Sequence, residues 1–387
     1  MVRSEENAYW ISLAHIPKWG SAKINNLIIK IYHENKITID EFFHLSEDEW
    51  KNIYGLSDND ITDLLKAKPG LPNNAFLAED LLNQGFNLIP IISPDYSSIL
   101  KSNLKSTYSP PLLYVKGDKQ MFQEKSVAIV GSRNAADISL KFTDCIAQMV
   151  TNEYKVVVSG FAKGVDKQAL DSALKYNGRS IIVLPQGIMT FGSGFKTYYK
   201  QIVEGNVLVL STFYPKAPWR PELAMARNPI IYGLANEIYV AESSEKGGTW
   251  SGVIDGLRKK RIIYVRKPLA TEQIANNILI QKGAIPVEFT DNKIGIVHIE
   301  KALEQREGSK AVVIPGEEPV EEKIREILKD SRLPAEEILE KLNNDWSIKK
   351  LFKVLHSLNF IEITKKKGKS YFNIRADSDT EQLELTL

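Results

Sequence analysis

Two short glycine-bearing loops in this sequence each carry a single cation. Val130 is followed by Gly131, Ser132 and Arg133, and Val158 by Ser159, Gly160, Phe161, Ala162, Lys163, Gly164, Val165 and Asp166. A glycine loop that leads into a helix leaves backbone N–H groups exposed, and a neighbouring Arg133 or Lys163 adds the positive charge a phosphate seeks. One such loop is weak evidence, whereas two behind successive apolar runs point to a phosphorylated ligand. Phe161 offers a ring on which a base can stack. Each residue also has a plainer reading: Arg133 paired with a nearby carboxylate, and Phe161 packed in the core.

Other chemistries lack their residues. The five histidines stand at His15, His33, His44, His298 and His356, so the stretch from Asp95 to Pro268 holds no imidazole for general-base catalysis. Neither the histidine and cysteine spacing of a zinc site nor the lysine loop of a nucleotide hydrolase is present. The expectation is a binding protein without catalytic residues, metal or cofactor. The lone cysteine, Cys145, falls on an apolar stripe with Ile138, Phe142, Ile146 and Met149 and reads as a buried, inert thiol.

The loops need a frame, and six apolar runs supply it: Val127–Val130, Val156–Val158, Ile181–Leu184, Val207–Leu210, Ile238–Val240 and Ile262–Val265. Runs without alternation, separated by helical segments, predict a Rossmann-like, doubly wound α/β domain whose parallel sheet is buried on both faces. Ligands of such sheets sit at the carboxyl ends of the strands, which is where both cationic loops fall. Asp166 is placed to cap a helix that turns Ala169, Leu170, Ala173 and Leu174 inward and stops at Gly178.

A chain of 387 residues has room for two or three domains, and its 43% hydrophobic and 25% charged residues are those of an ordinary globular protein. The net charge of +2 is too small to argue for a nucleic-acid partner by itself. Residues 1–70 read as a helical module, SAM-like or helix-hairpin-helix, with Lys18 where the turn of the latter would carry glycine. Residues 71–303 form the main domain, 304–322 a charged linker with Gly308, Pro315, Gly316 and Pro319, 323–376 a winged helix and 377–387 an acidic tail. Within the winged helix Pro334 opens the second of three helices, the third carries Lys349, Lys350 and Lys353, and Lys365, Lys366 and Lys367 make the tip of a basic wing. These lysines are secondary DNA-contact candidates, with plain solubilising charge as the alternative. No run of about eighteen apolar residues is present, so a cytoplasmic protein with no membrane partner is expected.

Five segments then follow one another along the chain: Asp95-Tyr96, Pro110–Asp118, Val127–Arg133, Ser159–Asp166 and Ile238–Glu242. In this order they resemble the signature segments of the DNA-processing protein A family (DprA, also called Smf), over roughly residues 89–268. The resemblance implies binding of single-stranded DNA along the basic face at the sheet's carboxyl edge, delivery of the strand to a RecA-type recombinase, a role in natural transformation, and a homodimer. It places Arg133 and Lys163 at the family's DNA-contacting positions. The remaining candidates for DNA or phosphate contact are Gly131, Ser132, Ser159, Gly160, Phe161, Gly164, Arg227, Asn228, Gly247, Gly248 and Thr249. Duplex DNA, met by the winged helix, and an unidentified protein stand beside these partners as alternatives.

The chain departs from the family's pattern late in the domain. Where relatives carry Arg-Asn-Arg it has Arg227-Asn228-Pro229; Asn228 suits a helix N-cap and Pro229 the first helical position, at the expense of one phosphate-binding charge. Where they carry Ser-Gly-Ser it has Gly247-Gly248-Thr249-Trp250, in which Trp250 either enlarges the site or plugs it. Such divergence fits a phage-defence or mobile-element setting. Two other functions stay open. One is a nucleotide sensor whose phosphates rest on Gly131–Arg133 and Gly247–Thr249. The other is a nucleotide glycosidase, for which Lys246 and Gly252 stand where a proline and a glutamate are needed and Glu242, Glu245 and Asp255 are the substitutes. A closed pocket walled by Trp219 and Trp250 favours the small ligand; an open basic groove favours the polymer.

Overall fold

The computed structural model describes residues 6–290, 293–296, 324, 326–329, 331–342, 348–355, 361–366 and 369–374. The chain divides into two compact units, Met1–His298 and Ile299–Leu387. Among the described residues no helix is long and apolar enough to cross a membrane.

The first unit opens with six helices: α1 (Asn7–Ala14), α2 (Ser21–Ile29), α3 (Ile39–His44), α4 (Glu47–Asn52), α5 (Asp58–Ala67) and α6 (Leu71–Asn83). Their starts are written in the sequence, since Thr38 with Glu41, Ser46 with Glu49 and Ser57 with Asp60 form successive capping boxes at α3, α4 and α5. Lys18, in the turn between α1 and α2, takes the left-handed conformation (φ 68°) that glycine ordinarily supplies. Trp10, Ile11, Phe42 and Trp50 are buried in a core that continues without a break into the strands beyond.

Those strands are β1 (Asn87–Pro90), β2 (Leu112–Lys116), β3 (Ser126–Val130), β4 (Val156–Ser159), β5 (Ser180–Val183), β6 (Val207–Ser211), β7 (Glu237–Val240), β8 (Ile263–Arg266), β9 (Ile285–Thr290) and β10 (Lys293–Ile296). They join one sheet in the order β1-β2-β6-β5-β4-β3-β7-β8-β9-β10. From β6 to β9 every pairing is parallel, and β1, β2 and β10 extend the edges antiparallel. The six apolar runs are the six central strands, as their unbroken hydrophobicity requires. Outside them β2 is also an apolar run, Leu112–Val115, buried throughout, whereas β9 alternates buried and exposed residues; these strands cover the edges that β6 and β8 would otherwise leave with unpaired backbone groups. Strand order reverses direction at β3, which lies between β4 and β7.

The helices of this layer are α7 (Ser98–Leu104), α8 (Asp137–Asn152), α9 (Val165–Lys175), α10 (Gly192–Thr197), α11 (Tyr199–Val203), α12 (Pro221–Leu234), α13 (Gly248–Arg258) and α14 (Asn276–Gln281). Three expectations are corrected here. Gly164, not Asp166, is the N-cap of α9, and Asp166 lies buried in its first turn. Asn177 (φ 60°), not Gly178, takes the left-handed turn after α9; Gly178 is small because a Cβ there would stand 2.2 Å from the Thr151 hydroxyl. Pro229 does not begin a helix: α12 starts at Pro221 and runs through Asn228 and Pro229, because Pro221 already supplies the fixed first-turn geometry eight residues earlier. Cys145 is half-buried on α8, and burial pushes its thiol pKa up.

The second unit holds β11 (Leu333–Pro334), α15 (Ala335–Leu342), α16 (Ile348–Leu355), β12 (Ile361–Lys366) and β13 (Lys369–Ile374), with the strands in the antiparallel order β11-β13-β12. Ile324, Leu328, Ile338, Leu351 and Phe372 belong to its core. Pro334 is drawn into β11 opposite Tyr371, so the helix it was expected to open starts one residue later. Lys349, Lys350 and Lys353 fall on α16, and Lys365 and Lys366 end β12. Lys367, the 304–322 linker and the 377–387 tail lie outside the described residues.

Candidate nucleic-acid interface

The reversal of strand order at β3 leaves a crevice between the loops that follow β3 and β7, and three glycine-bearing loops meet there. They are laced together by one backbone and one side-chain hydrogen bond. Val165 N–H donates to the Ser132 carbonyl at 3.2 Å, and the Thr249 hydroxyl donates to the Gly131 carbonyl at 3.1 Å. Gly164 sits at φ 77° directly over the β3 loop, where a Cβ would lie 2.3 Å from the Ser132 carbonyl oxygen. A Cβ on Gly131 would meet Val165 Cγ2 at 2.6 Å. The loop glycines therefore serve loop-to-loop packing as much as access to a ligand.

Some of the expected backbone donors are already used. Ser132 N–H donates to the Glu242 carbonyl at 3.0 Å, and the Glu242 carboxylate accepts from Ala136 N–H at 2.9 Å and from the Ser139 hydroxyl at 2.8 Å. Glu242 is thus a buried tie at the start of α8 rather than an acid facing the crevice. Burial raises the Asp166 carboxyl pKa, opposed first by the Arg227 guanidinium and then by the amides of Ala162 and Gly160 and the Ser159 hydroxyl. Asp166 accordingly shapes the Ser159–Gly164 loop from behind, and Ser159 itself is buried, its hydroxyl donating to Ile129 at 2.9 Å.

The cations divide into two kinds. Arg133 and Lys163 are exposed, and among the described residues neither has an ion-pair partner, so Arg133 is not spent on a carboxylate. Arg227 is only 3% exposed: its Nη1 donates to the Val183 carbonyl at 3.0 Å, and its Nη2 lies 4.0 Å from Asp166. Burial lowers its pKa, as it raises that of Asp166, because the low-dielectric site disfavours both charges. Its guanidinium occupies the space a side chain at Gly160 would need, with Nη1 1.5 Å from the position of a Cβ there.

Two cavities flank Arg227. One, of about 400 Å³, lies over the strand reversal between Gly131–Arg133, Asn228 and Lys246–Thr249. The other, of about 480 Å³, lies between Arg133, Phe161, Lys163 and Trp219. Arg133, Ala162 and Arg227 line both, so most of the predicted first-unit residues come together here, though Ser159 and Gly164 line neither cavity. Phe161 (φ 60°) lines the second cavity while its ring packs edge-on against Phe191 at 4.9 Å and Tyr198 at 5.8 Å. Trp250 packs against the core and lines neither cavity. The room for the Gly247–Gly252 segment comes from α12: a Cβ at Gly248 would stand 2.5 Å from Asn228, and one at Gly252 2.6 Å from the Tyr232 ring. Trp219, expected as a pocket wall, lines the second cavity, and Lys246, which directly precedes Gly247 and Gly248 but is not among the contact candidates, lines the first.

A doubly wound sheet with laced, cation-bearing loops at its strand reversal defines the class: a Rossmann-like α/β protein whose candidate site lies at the carboxyl edge of the sheet. A model of the family described as DNA recombination-mediator protein A matches residues 87–297, more than half of the chain, and the chain belongs to that family. It is 30% identical over 178 residues to the DNA processing protein DprA of Streptococcus pneumoniae (strain ATCC BAA-255 / R6), a match covering 46% of this chain and 63% of that protein. It is 29% identical over 257 residues to the protein Smf of Synechocystis sp. (strain ATCC 27184 / PCC 6803 / Kazusa), covering 63% of this chain and 60% of that protein. The chain thus spans less than two thirds of the length of these two curated relatives. The X-ray structure of DprA from Streptococcus pneumoniae superposes with a TM-score of 0.58 at 25% identity, covering 74% of this chain and 95% of that one. Membership in a family of recombination mediators agrees with the expectation of a binding protein rather than an enzyme.

Proposed function

We propose that this chain is a recombination mediator that binds single-stranded DNA along the carboxyl edge of its sheet, in the cytoplasm, and hands the strand to a RecA-type recombinase. The observation that carries the reading is the pair of exposed cations, Arg133 and Lys163, which have no ion-pair partner among the described residues and are fixed on interlocked loops at the strand reversal. Such cations neutralise successive phosphates without reading sequence. Gly131, Ser132, Gly160, Phe161, Asn228, Gly247, Gly248 and Thr249 form the surrounding surface, while Arg227 and Ser159 support it from beneath. The helices and three-stranded sheet of the second unit fit a winged helix, and the lysines that fall on α16 and β12 make duplex DNA or a protein its proposed partner. A homodimer and a phage-defence setting belong to the same reading.

Fluorescence anisotropy of labelled single-stranded and duplex oligonucleotides across a salt series tests it. With six phosphate contacts the log–log salt slope is about 4, at ~0.7 per contact. Arg133→Ala with Lys163→Ala lowers affinity for every sequence alike and reduces the slope by about 1.4, two contacts' worth. Truncation before Glu322 leaves single-strand binding in place and removes any duplex binding. Absence of single-strand binding at low salt overturns the proposal. The cavity of about 400 Å³ is also of a size for a mononucleotide, and saturable binding of a nucleoside phosphate in that case identifies the sensor.

A further inference from the structure

Trp219 is 49% exposed on the segment joining β6 to α12, a large aromatic surface left in water beside the predicted phosphate loops. The segment that bears it is held in place. Gly187 N–H donates to the Ala217 carbonyl at 2.8 Å, Met189 N–H to the Pro215 carbonyl at 3.0 Å, and Ala217 N–H closes a turn onto Tyr214 at 2.8 Å. The approach is so close that a Cβ at Gly187 would stand 2.3 Å from two carbonyl oxygens of the segment, those of Tyr214 and Pro215. Lys216 and Arg220, on either side of Trp219, are exposed. Trp219 lines the cavity of about 480 Å³ together with Phe161, Phe191, Pro185, Arg133 and Lys163.

Aromatic faces interleaved with cations are what an unstacked base on a charged backbone recognises: the base meets the ring, and the phosphate meets the cation. Phe161 and Phe191 pack on one another edge to face, with centroids 4.9 Å apart, whereas Trp219 does not share that cluster. We infer that Trp219 is a base-stacking platform: a nucleobase of the bound strand enters this cavity and lies on the Trp219 indole while its phosphates rest on Arg133 and Lys163. The inference rests on the single-strand-binding reading above. It assigns to the β6–α12 segment contact with bases, beside the contact with phosphates assigned to Arg133 and Lys163. Because every base has a π face, the platform favours bases over bare backbone without selecting among them.

A short oligothymidylate and an oligomer of the same length made wholly of tetrahydrofuran abasic residues separate the two contributions. Wild type is expected to bind the thymidylate about 5- to 150-fold more tightly than the abasic strand, the range given by stacking of one base. Trp219→Leu removes most of that preference, leaving abasic affinity and the salt slope unchanged, and abolishes the tryptophan quench on binding thymidylate. Trp219→Phe restores much of the preference. Equal wild-type affinity for the two strands overturns the inference while leaving backbone binding intact, as does an equal loss for both strands in Trp219→Leu. If wild type binds neither strand, the single-strand reading falls and this inference with it.

Discussion

Replacing Arg227 by methionine distinguishes a guanidinium that supports the interface from one that contacts the ligand. The side chain is 3% exposed, donates to the Val183 carbonyl at 3.0 Å and stands 4.0 Å from the Asp166 carboxylate. Methionine keeps the unbranched apolar stem as far as Nε but leaves the Val183 oxygen without its donor and Asp166 without a nearby positive charge. Removal of one partner from a buried ion pair costs about 3–5 kcal/mol, and at 4.0 Å the lower end of that range is expected. Adding Asp166→Asn removes the stranded charge, so the double variant should recover about 1–3 kcal/mol as coupling. The pH response follows from the raised Asp166 pKa. The folded state holds its proton to higher pH than the unfolded state does, so stability falls as pH rises from the ordinary carboxylate range through the folded value. Arg227→Met removes the charge that opposes this shift, which widens the window and shrinks the deficit toward acid. Urea unfolding of the wild type, both single variants and the double, at several pH values, reads all of this. A single variant within about 0.5 kcal/mol of wild type, or strict additivity in the double, would refute the supporting role.

Two further outcomes follow from the same packing. Gly164→Ala places a Cβ 2.3 Å from the Ser132 carbonyl in a conformation that disfavours side chains, so it should cost about 1–3 kcal/mol from backbone strain alone and weaken single-strand binding with it. An unchanged urea midpoint would show that the β3 and β4 loops are not interlocked. Arg266 is fully buried, donates to Ser139 and Ala241 and forms a two-pronged pair with Glu272, so Arg266→Met should cost about 3–5 kcal/mol. That pairing holds the Glu272 carboxyl pKa below its usual value, so its contribution is present above the ordinary glutamate range and lost as pH falls through the lowered value. Acid unfolding should accordingly be less steep in Arg266→Met, and an identical acid limb would contradict the assignment.

Much of the frame was legible because its signals are local. Unbroken runs such as Val156–Val158 and Val207–Leu210 can be buried on both faces only in a covered parallel sheet, and the loops behind Val130 and Val158 fall at its carboxyl edge for the same reason. Arg133 and Lys163 were found as exposed cations in those loops because charge beside glycine is a pattern of neighbours. Residue types alone thus determined a doubly wound sheet with cation-bearing loops at its carboxyl edge. What they left undetermined depends on distance in space. Arg227 reads in sequence as a surface contact, but the crossing of α12 beneath Gly160 buries it against Asp166. Gly160 reads as a phosphate glycine, while in the fold its missing Cβ is the space that Arg227 fills. Pro229 reads as a helix start and lies within one, since Pro221 had already fixed where α12 begins. Only the tertiary structure set Trp219 in water beside the cations and put Trp250 against the core, because burial is decided by what packs from elsewhere in the chain and not by a side chain's own apolarity.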